Sequence, residues 1–390
     1  MKSCKMGGQA VIEGVMMRYK NNVAVAVRKA DGSIKVGRTK YAAATSKHPF
    51  LKWPLVRGVV SFVDSLVLGI KTLMYSASIF EDDIDEEIEK EKKAKEAAAD
   101  DRSEPERAEK SSAKENKVIK EHMNAKKQSG GETAVMVGTV LFSLIIALLL
   151  FVALPYYVSS LITKVIDSSI LLAVVEGILK VAIFIGYIAV IGQMKDIKRT
   201  FMYHGAEHKC INCIESGKDL TVDNVMESSK EHRRCGTSFI FLVLIISIIF
   251  HIFILVDARW LRFVIRILII PVIAAVSYEL IQWAGNSDSK IAYYVSRPGL
   301  WMQALTTKEP TRDMVEVAIE SVNGVFNWKK YVEDLRIEMA REERKAIRKE
   351  RHDRKKGLAD AGICVADPYE DIQDIEEPEI AEVIEAESKK

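Results

Sequence analysis

The sequence is poor in cysteine. Its five thiols, Cys4, Cys210, Cys213, Cys235 and Cys364, are odd in number and do not make a disulfide framework; three of them sit beside histidines, which directs attention to a metal or to free thiol. It also lacks net charge of either sign. The formal sum of +2 hides separate acidic and basic runs, which excludes a uniformly basic nucleic-acid binder. No nucleic-acid motif is present, so nucleic acid is not expected as a partner. The opening residues, MKSCKMGGQAVIEG, hold no apolar core of seven or more residues and do not read as a signal peptide; the amino end is expected in the cytoplasm.

What the sequence does have is long apolar runs, concealed by a mean hydropathy of +0.04. Residues 134–154 form an uncharged run of the length a helix needs to cross roughly 30 Å of hydrocarbon. Three more runs follow: 170–194, which contains Glu176 and Lys180; 239–256, with His251; and 261–283, with Arg262, Arg266 and Pro271. Four runs of near-spanning length are hard to bury in a chain of this size. The expected fold class is a polytopic α-helical membrane protein with about four transmembrane helices and a small cytoplasmic β-rich N-terminal module. Glu176 and Lys180 are i, i+4 partners and read, with His251, as a self-satisfied pairing inside the bundle rather than a transport path. Pro271 reads as a tolerated kink.

The loop between the second and third runs carries Lys195, Lys198, Arg199, Lys209, Lys218, Lys230, Arg233 and Arg234, whereas the other two interhelical loops carry little beyond Lys164, Arg259 and Arg262. The positive-inside bias places the rich loop, and with it both termini, in the cytoplasm of a multi-pass cell-membrane protein.

Six segments are expected. Residues 1–47 form a β-hairpin module, in which VIEGVMMRY, VAVAVRKA and IKVGRTKYA are separated by the turn pairs Asn21-Asn22 and Asp31-Gly32. Residues 48–80 have helical apolar spacing broken by Arg57, Asp64 and Lys71, which suits an interfacial or membrane-packed helix; a fifth span is the alternative. Residues 81–131 are a charged linker or solvated helix. Residues 132–285 form the four-helix membrane domain, with loop 195–237 inside it. Residues 286–327 form an interfacial helical segment anchored by Trp301, and 328–390 a charged helix followed by an acidic tail expected to be disordered.

The chemistry concentrates in YHGAEHKCINC, residues 203–213. His204, Glu207 and His208 have the form H-x-x-E-H. On a helix, the i and i+4 imidazoles project from one face and can reach one ion, and the carboxylate at i+3 stands where it can take a proton from water. Cys235 or His232 is expected to supply a third ligand, with Glu279 a further candidate. A rival reading uses Cys210-x-x-Cys213 and His232-x-x-Cys235 as a closed structural zinc knuckle. The plain reading is of solvated histidines and unliganded thiols.

Four blocks in order, GGQAVIEGVMMR, YHGAEHK, HRRCGTSF and SRPGLWMQALTTKEP, together resemble the YqhQ-like family of bacterial membrane proteins, described as metal-dependent enzymes of unknown reaction. The resemblance covers roughly Gly7 to Phe80 and Thr133 to Asn327, and the charged linker and tail lie outside it. It implies a metal at this site but not the reaction, and the family pattern it carries over includes His204, Glu207, His208, His232 and Cys235. It also implies that position 210 is not fixed as cysteine, which speaks against the knuckle.

The expectation is therefore a divalent ion, zinc by the softness of imidazole and thiolate, held by His204 and His208 with Cys235 or His232. Glu207 is the expected general base of a hydrolase at the cytoplasmic membrane face. Its expected partners are the lipid bilayer and a membrane-peptide or lipid-linked substrate; the oligomeric state is not expressed in the sequence. The alternative is a non-enzymatic membrane scaffold or assembly factor stapled by structural zinc.

Overall fold

The computed structural model describes residues 4–46, 48–99, 130–162, 168–254, 256, 258–287 and 289–360. The expected acidic tail beyond residue 360 and the linker residues 100–129 lie outside the described residues.

Four strands, β1 (Met6–Val11), β2 (Gly14–Tyr19), β3 (Asn22–Arg28) and β4 (Ile34–Lys40), form an antiparallel meander in sequence order. The valine-rich stretches form a sheet as expected, but VIEGVMMRY does not run as one strand. It turns at Ile12-Glu13, where Val11 pairs with Gly14 and Glu13 takes φ 50°. The next turn is Lys20-Asn21, with Lys20 at φ 55°, and Asn22 already pairs in β3. The side chain of Glu13 explains why a carboxylate occupies a strained turn. It accepts from Arg199 Nε at 2.5 Å and lies 3.3 Å from the Tyr203 hydroxyl, fastening the hairpin to a helix far along the chain.

The sheet is covered on both sides, and this accounts for strands in which both alternating sets are apolar. Met6, Val15, Met17, Ala24 and Ala26 share one core with α5 (Lys195–Glu215) and α11 (Arg312–Val325). Val11, Met16, Val23, Val25 and Val27 meet Leu68 and Ile79 of α1 (Val56–Ala99). Residues 64–79 of α1 are bonded to this module: Tyr41 donates to Asp64 Oδ1 at 2.8 Å and the Ile12 N–H donates to Ser76 Oγ at 3.2 Å. The first turns of α1 instead pack on the bundle, with Gly58 against Ala275 and Phe62 5.4 Å from Phe239 between ring centroids.

The apolar helices are α2 (Gly130–Leu148), continued by a π-helical turn at Leu149–Ala153 and α3 (Leu154–Ile162); α4 (Ser169–Ile191); α7 (Gly236–Ile252); and α8 (Arg259–Leu268) with α9 (Ile270–Asn286). Among the described residues, four stretches, Val56–Ile79, Val137–Ser159, Ile170–Ile191 and Trp260–Asn286, are long and apolar enough to cross a membrane. They are not the expected four. The run 239–256 falls mostly in the shorter helix α7, of 17 residues, while the segment expected to be interfacial reaches spanning length. Pro271 marks a break rather than a kink inside a helix: it sits in the first turn of α9, where its missing N–H costs no helical hydrogen bond.

Short α6 (Val222–Glu227), α10 (Lys290–Thr306) and the charged α12 (Trp328–Asp360) complete the described chain. Within the bundle, Glu176 and Lys180 pair at 2.8 Å, as the i, i+4 spacing indicated. Arg266 joins them as a second cation on Glu176, and His251 Nδ1 lies 3.2 Å from Lys180 Nζ.

Candidate metal centre

Helix α5 presents two faces. Tyr203, Ala206, Cys210, Ile211 and Ile214 enter the core shared with the sheet and α11. Thr200, His204, Glu207, His208 and Ile211 follow at three- and four-residue spacing along the wall of a cavity of about 640 Å³. The H-x-x-E-H pattern is thus carried on a buried helix, not on a solvated loop.

Gly205 lets the next segment approach. A Cβ there would stand 2.0 Å from the Lys308 carbonyl oxygen, closer than any side chain tolerates. With no side chain in the way the two backbones pack closely, the Lys308 N–H donating to the Phe201 carbonyl at 2.9 Å, and the carbonyl of Thr306 lies 2.9 Å from His204 Nδ1. His208 is oriented by the same device, its Nδ1 lying 2.7 Å from the Lys230 carbonyl. A carbonyl only accepts, so both rings hold N–H at Nδ1, which leaves Nε2 as the ring atom an ion could take, the arrangement usual around histidine ligands.

Cys235 arrives from the loop ahead of α7, which is pinned to α5. Lys209 Nζ donates to the carbonyls of Met226 and Ser228 at 2.7 and 2.9 Å, and Asn212 Nδ2 donates to those of Ser229 and Glu231 at 2.6 and 2.8 Å. From the other side Gln303 of α10 clamps His232, accepting its N–H at 2.9 Å and donating to its carbonyl at 2.7 Å. Cys235 Sγ consequently lies 3.2 Å from His204 Nε2.

One ligand atom from each of His204, His208 and Cys235 falls within 4.8 Å of the others. Around a tetrahedral zinc, ligand atoms at roughly 2.0–2.3 Å from the ion stand about 3.5 Å apart, so small side-chain adjustments complete the shell. The donor set, two imidazoles and a thiol lining the cavity, is one that would suit zinc. Burial acts against charge on Cys235, but the imidazoles of His204 and His208 hold its thiol well below the ordinary range.

Glu207 is 5% exposed. Its Oε2 lies 4.0 Å from His204 Nε2. Burial pushes its carboxyl above the usual value, while His208, His204 and the Gly8 amide pull it down. Gly8 is required by proximity, since a Cβ there would lie 2.7 Å from Glu207 Cγ.

The remaining expected residues fall elsewhere. The His232 ring lies 5.5 Å from that of His208, tilted by 46°, but its Nε2 faces Arg234 at 3.2 Å and Glu215 at 3.9 Å, outside the group of three. Burial, followed by His208 and Arg234, depresses its pKa well below the ordinary value. Cys210 and Cys213 are in the hydrophobic core, and Cys213 Sγ lies 3.4 Å from the Asp219 carbonyl. Glu279 pairs with Arg57 Nε at 2.7 Å in a separate pocket.

Sequence reasoning missed Thr306, Lys230 and Gln303, which act through backbone groups or on them. It also missed the walls supplied by β1 and α1. A signal was present, however: the four blocks GGQAV, YHGAEHK, HRRCGTSF and MQALTTK converge on this cavity from β1, α5, the loop before α7 and the end of α10.

Comparison with known proteins matches residues 53–328 to the model of a family described as "Protein of unknown function (DUF1385)". The chain is 31% identical over 324 residues to the "Uncharacterized protein YqhQ" of Bacillus subtilis (strain 168), covering 82% of this chain and 92% of that protein. No solved structure matches.

Proposed function

We propose that this chain, which belongs to the DUF1385 family of proteins of unknown function, is a zinc-dependent hydrolase working at the cytoplasmic face of a membrane. The observation that carries this reading is the convergence of His204, His208 and Cys235 on one point that opens into a cavity, with Glu207 beside them. A zinc ion held there supplies Lewis-acid chemistry, polarising a carbonyl or phosphoryl oxygen and acidifying water.

The chain's own residues do the rest. The Thr306 and Lys230 carbonyls fix both imidazoles in the tautomer that leaves Nε2 available. Glu207, its basicity raised by burial, takes a proton from water and returns it to the leaving oxygen. The alternative, a scaffold stapled by structural zinc, calls for a closed four-ligand shell. The three-ligand group facing a cavity favours the enzyme.

The location rests on helix length and loop charge. Residues 137–159, 170–191 and 260–286 have spanning length, and α7 completes a four-helix set in contact with α4 and α9. We place α1 outside that set despite its length, because its Asp64, Leu68, Ser76 and Ile79 contact the sheet module. A sheet with open edges does not enter hydrocarbon. Both termini and the basic loop then lie in the cytoplasm.

Elemental analysis of detergent-purified protein tests the proposal. We expect one zinc per chain, lost in His208→Ala and Cys235→Ala and kept in Cys213→Ala and Glu207→Gln. Loss with Cys213 but not with His208 would establish the closed knuckle instead. A wild-type protein that takes up no metal after zinc reconstitution overturns the metal reading.

A further inference from the structure

The cavity has two chemically distinct ends. One is polar and holds His204, Glu207, His208 and Cys235; the other is apolar, with Leu66, Ile70 and Leu73 of α1 facing Phe239 and Ile240 of α7. Its volume of about 640 Å³ lies within the roughly 300–1,000 Å³ of small-molecule sites. The apolar end does not stop at the cavity: Phe62, Val63 and Leu66 continue as an exposed stripe on α1, 40–53% accessible. An occupant can therefore have a long apolar part that runs out along α1 towards the bundle.

Strand β1 lines the same cavity and is the edge of the sheet, the feature a peptide would use by adding a strand. Within that edge the Gly8 amide already serves the Glu207 carboxylate, and just beyond its two ends the Cys4 N–H donates to Glu215 Oε1 at 2.8 Å and the Ile12 N–H to Ser76 Oγ at 3.2 Å. A peptide strand would displace the hydrogen bond of the base itself. An amphiphile held by its apolar chain needs none of these amides.

We propose that the substrate is a long-chain amphiphile bearing an acyl or phosphoryl ester, its chain between α1 and α7 and its ester at the three ligand atoms. This assignment rests on the hydrolase reading above. In the reaction one water is consumed: its oxygen bonds to the carbonyl carbon or phosphorus, the ester bond to the leaving oxygen breaks, and the water proton passes through Glu207 to that oxygen. An acid and an alcohol result.

The test uses the full chain in detergent, zinc-loaded, with two diazirine-bearing 16-carbon probes, a monoacylglycerol and a monoalkyl phosphate. Each is photocrosslinked and mapped by mass spectrometry, and zinc is measured on every sample. We expect crosslinks on Leu66, Ile70 or Leu73, competed by the unlabelled amphiphile and not by an extended octapeptide. Leu66→Trp and Ile70→Trp, which fill the apolar end, should each cut labelling about tenfold, with zinc retained. Ile347→Trp, exposed on α12 and outside both the cavity and the α1 stripe, should label as the wild type does.

The probe that is also hydrolysed, with product lost in Glu207→Gln, tells acyl from phosphoryl chemistry. Labelling unchanged in both filled variants, or competition by the octapeptide, overturns the amphiphile assignment while leaving the metal site standing. Labelling that maps to the cavity in a protein that binds no zinc overturns the hydrolase reading and leaves an amphiphile-binding cleft.

Discussion

His204 Nε2 stands 3.2 Å from Cys235 Sγ across 31 positions of sequence, and neither residue is held there by its own helix alone. The cysteine depends on Gln303, which bonds both backbone groups of His232 and the Ser238 hydroxyl. Gln303→Ala should therefore weaken zinc binding by about 10–100-fold, the usual effect of losing a group that orients a ligand. Chelator competition on the purified variant measures this. An unchanged affinity would mean the loop is held by its contacts to α5 alone.

Gly205 lies mid-helix, where alanine ordinarily stabilises by about 1 kcal/mol. Here the sign should reverse. The added Cβ would meet the Lys308 carbonyl at 2.0 Å, forcing apart α5 and the segment that fixes His204. Gly205→Ala should lower stability by about 1–3 kcal/mol, read as a fall in the thermal unfolding midpoint in detergent, with loss of bound zinc at the same time.

Glu176 balances Lys180 at 2.8 Å and Arg266 in the same buried cluster. Glu176→Gln leaves two buried cations without a counter-charge and should cost about 3–5 kcal/mol. Glu176→Leu combined with Lys180→Met and Arg266→Leu should recover much of that loss. Detergent denaturation curves of the single and triple variants check it; a triple variant no better than the single one would point to a role beyond pairing.

Burial, reinforced by the nearby Glu215 carboxylate, pushes the Cys4 thiol up to about 12 from an ordinary 9.0. The folded state therefore favours the protonated thiol. Its contribution to stability is complete below pH 9 and is lost as the pH rises towards 12. Unfolding midpoints should fall across this alkaline window, less so in Cys4→Ala. In the folded protein at pH 8.5, Cys4 should resist iodoacetamide, which requires thiolate.

The sequence by itself determined the long apolar helices, the sheet and the helical spacing of His204, Glu207 and His208, because each rests on a local period of two or of about 3.6 residues. It could not determine which cysteine joins the histidines. Cys210 and Cys213 are nearer in sequence than Cys235, yet the twist of α5 turns them into the core, and only the packing of α7 and α10 brings Cys235 across. The role of 56–79 was equally undecidable from composition. Length and hydropathy describe a span, whereas the structure shows the helix bonded to the sheet module through Asp64 and Ser76 and packed on the bundle at Gly58 and Phe62. Tertiary structure also decided how the imidazoles are oriented, since the carbonyls of Thr306 and Lys230 fix them and a backbone carbonyl carries no side-chain signature to read.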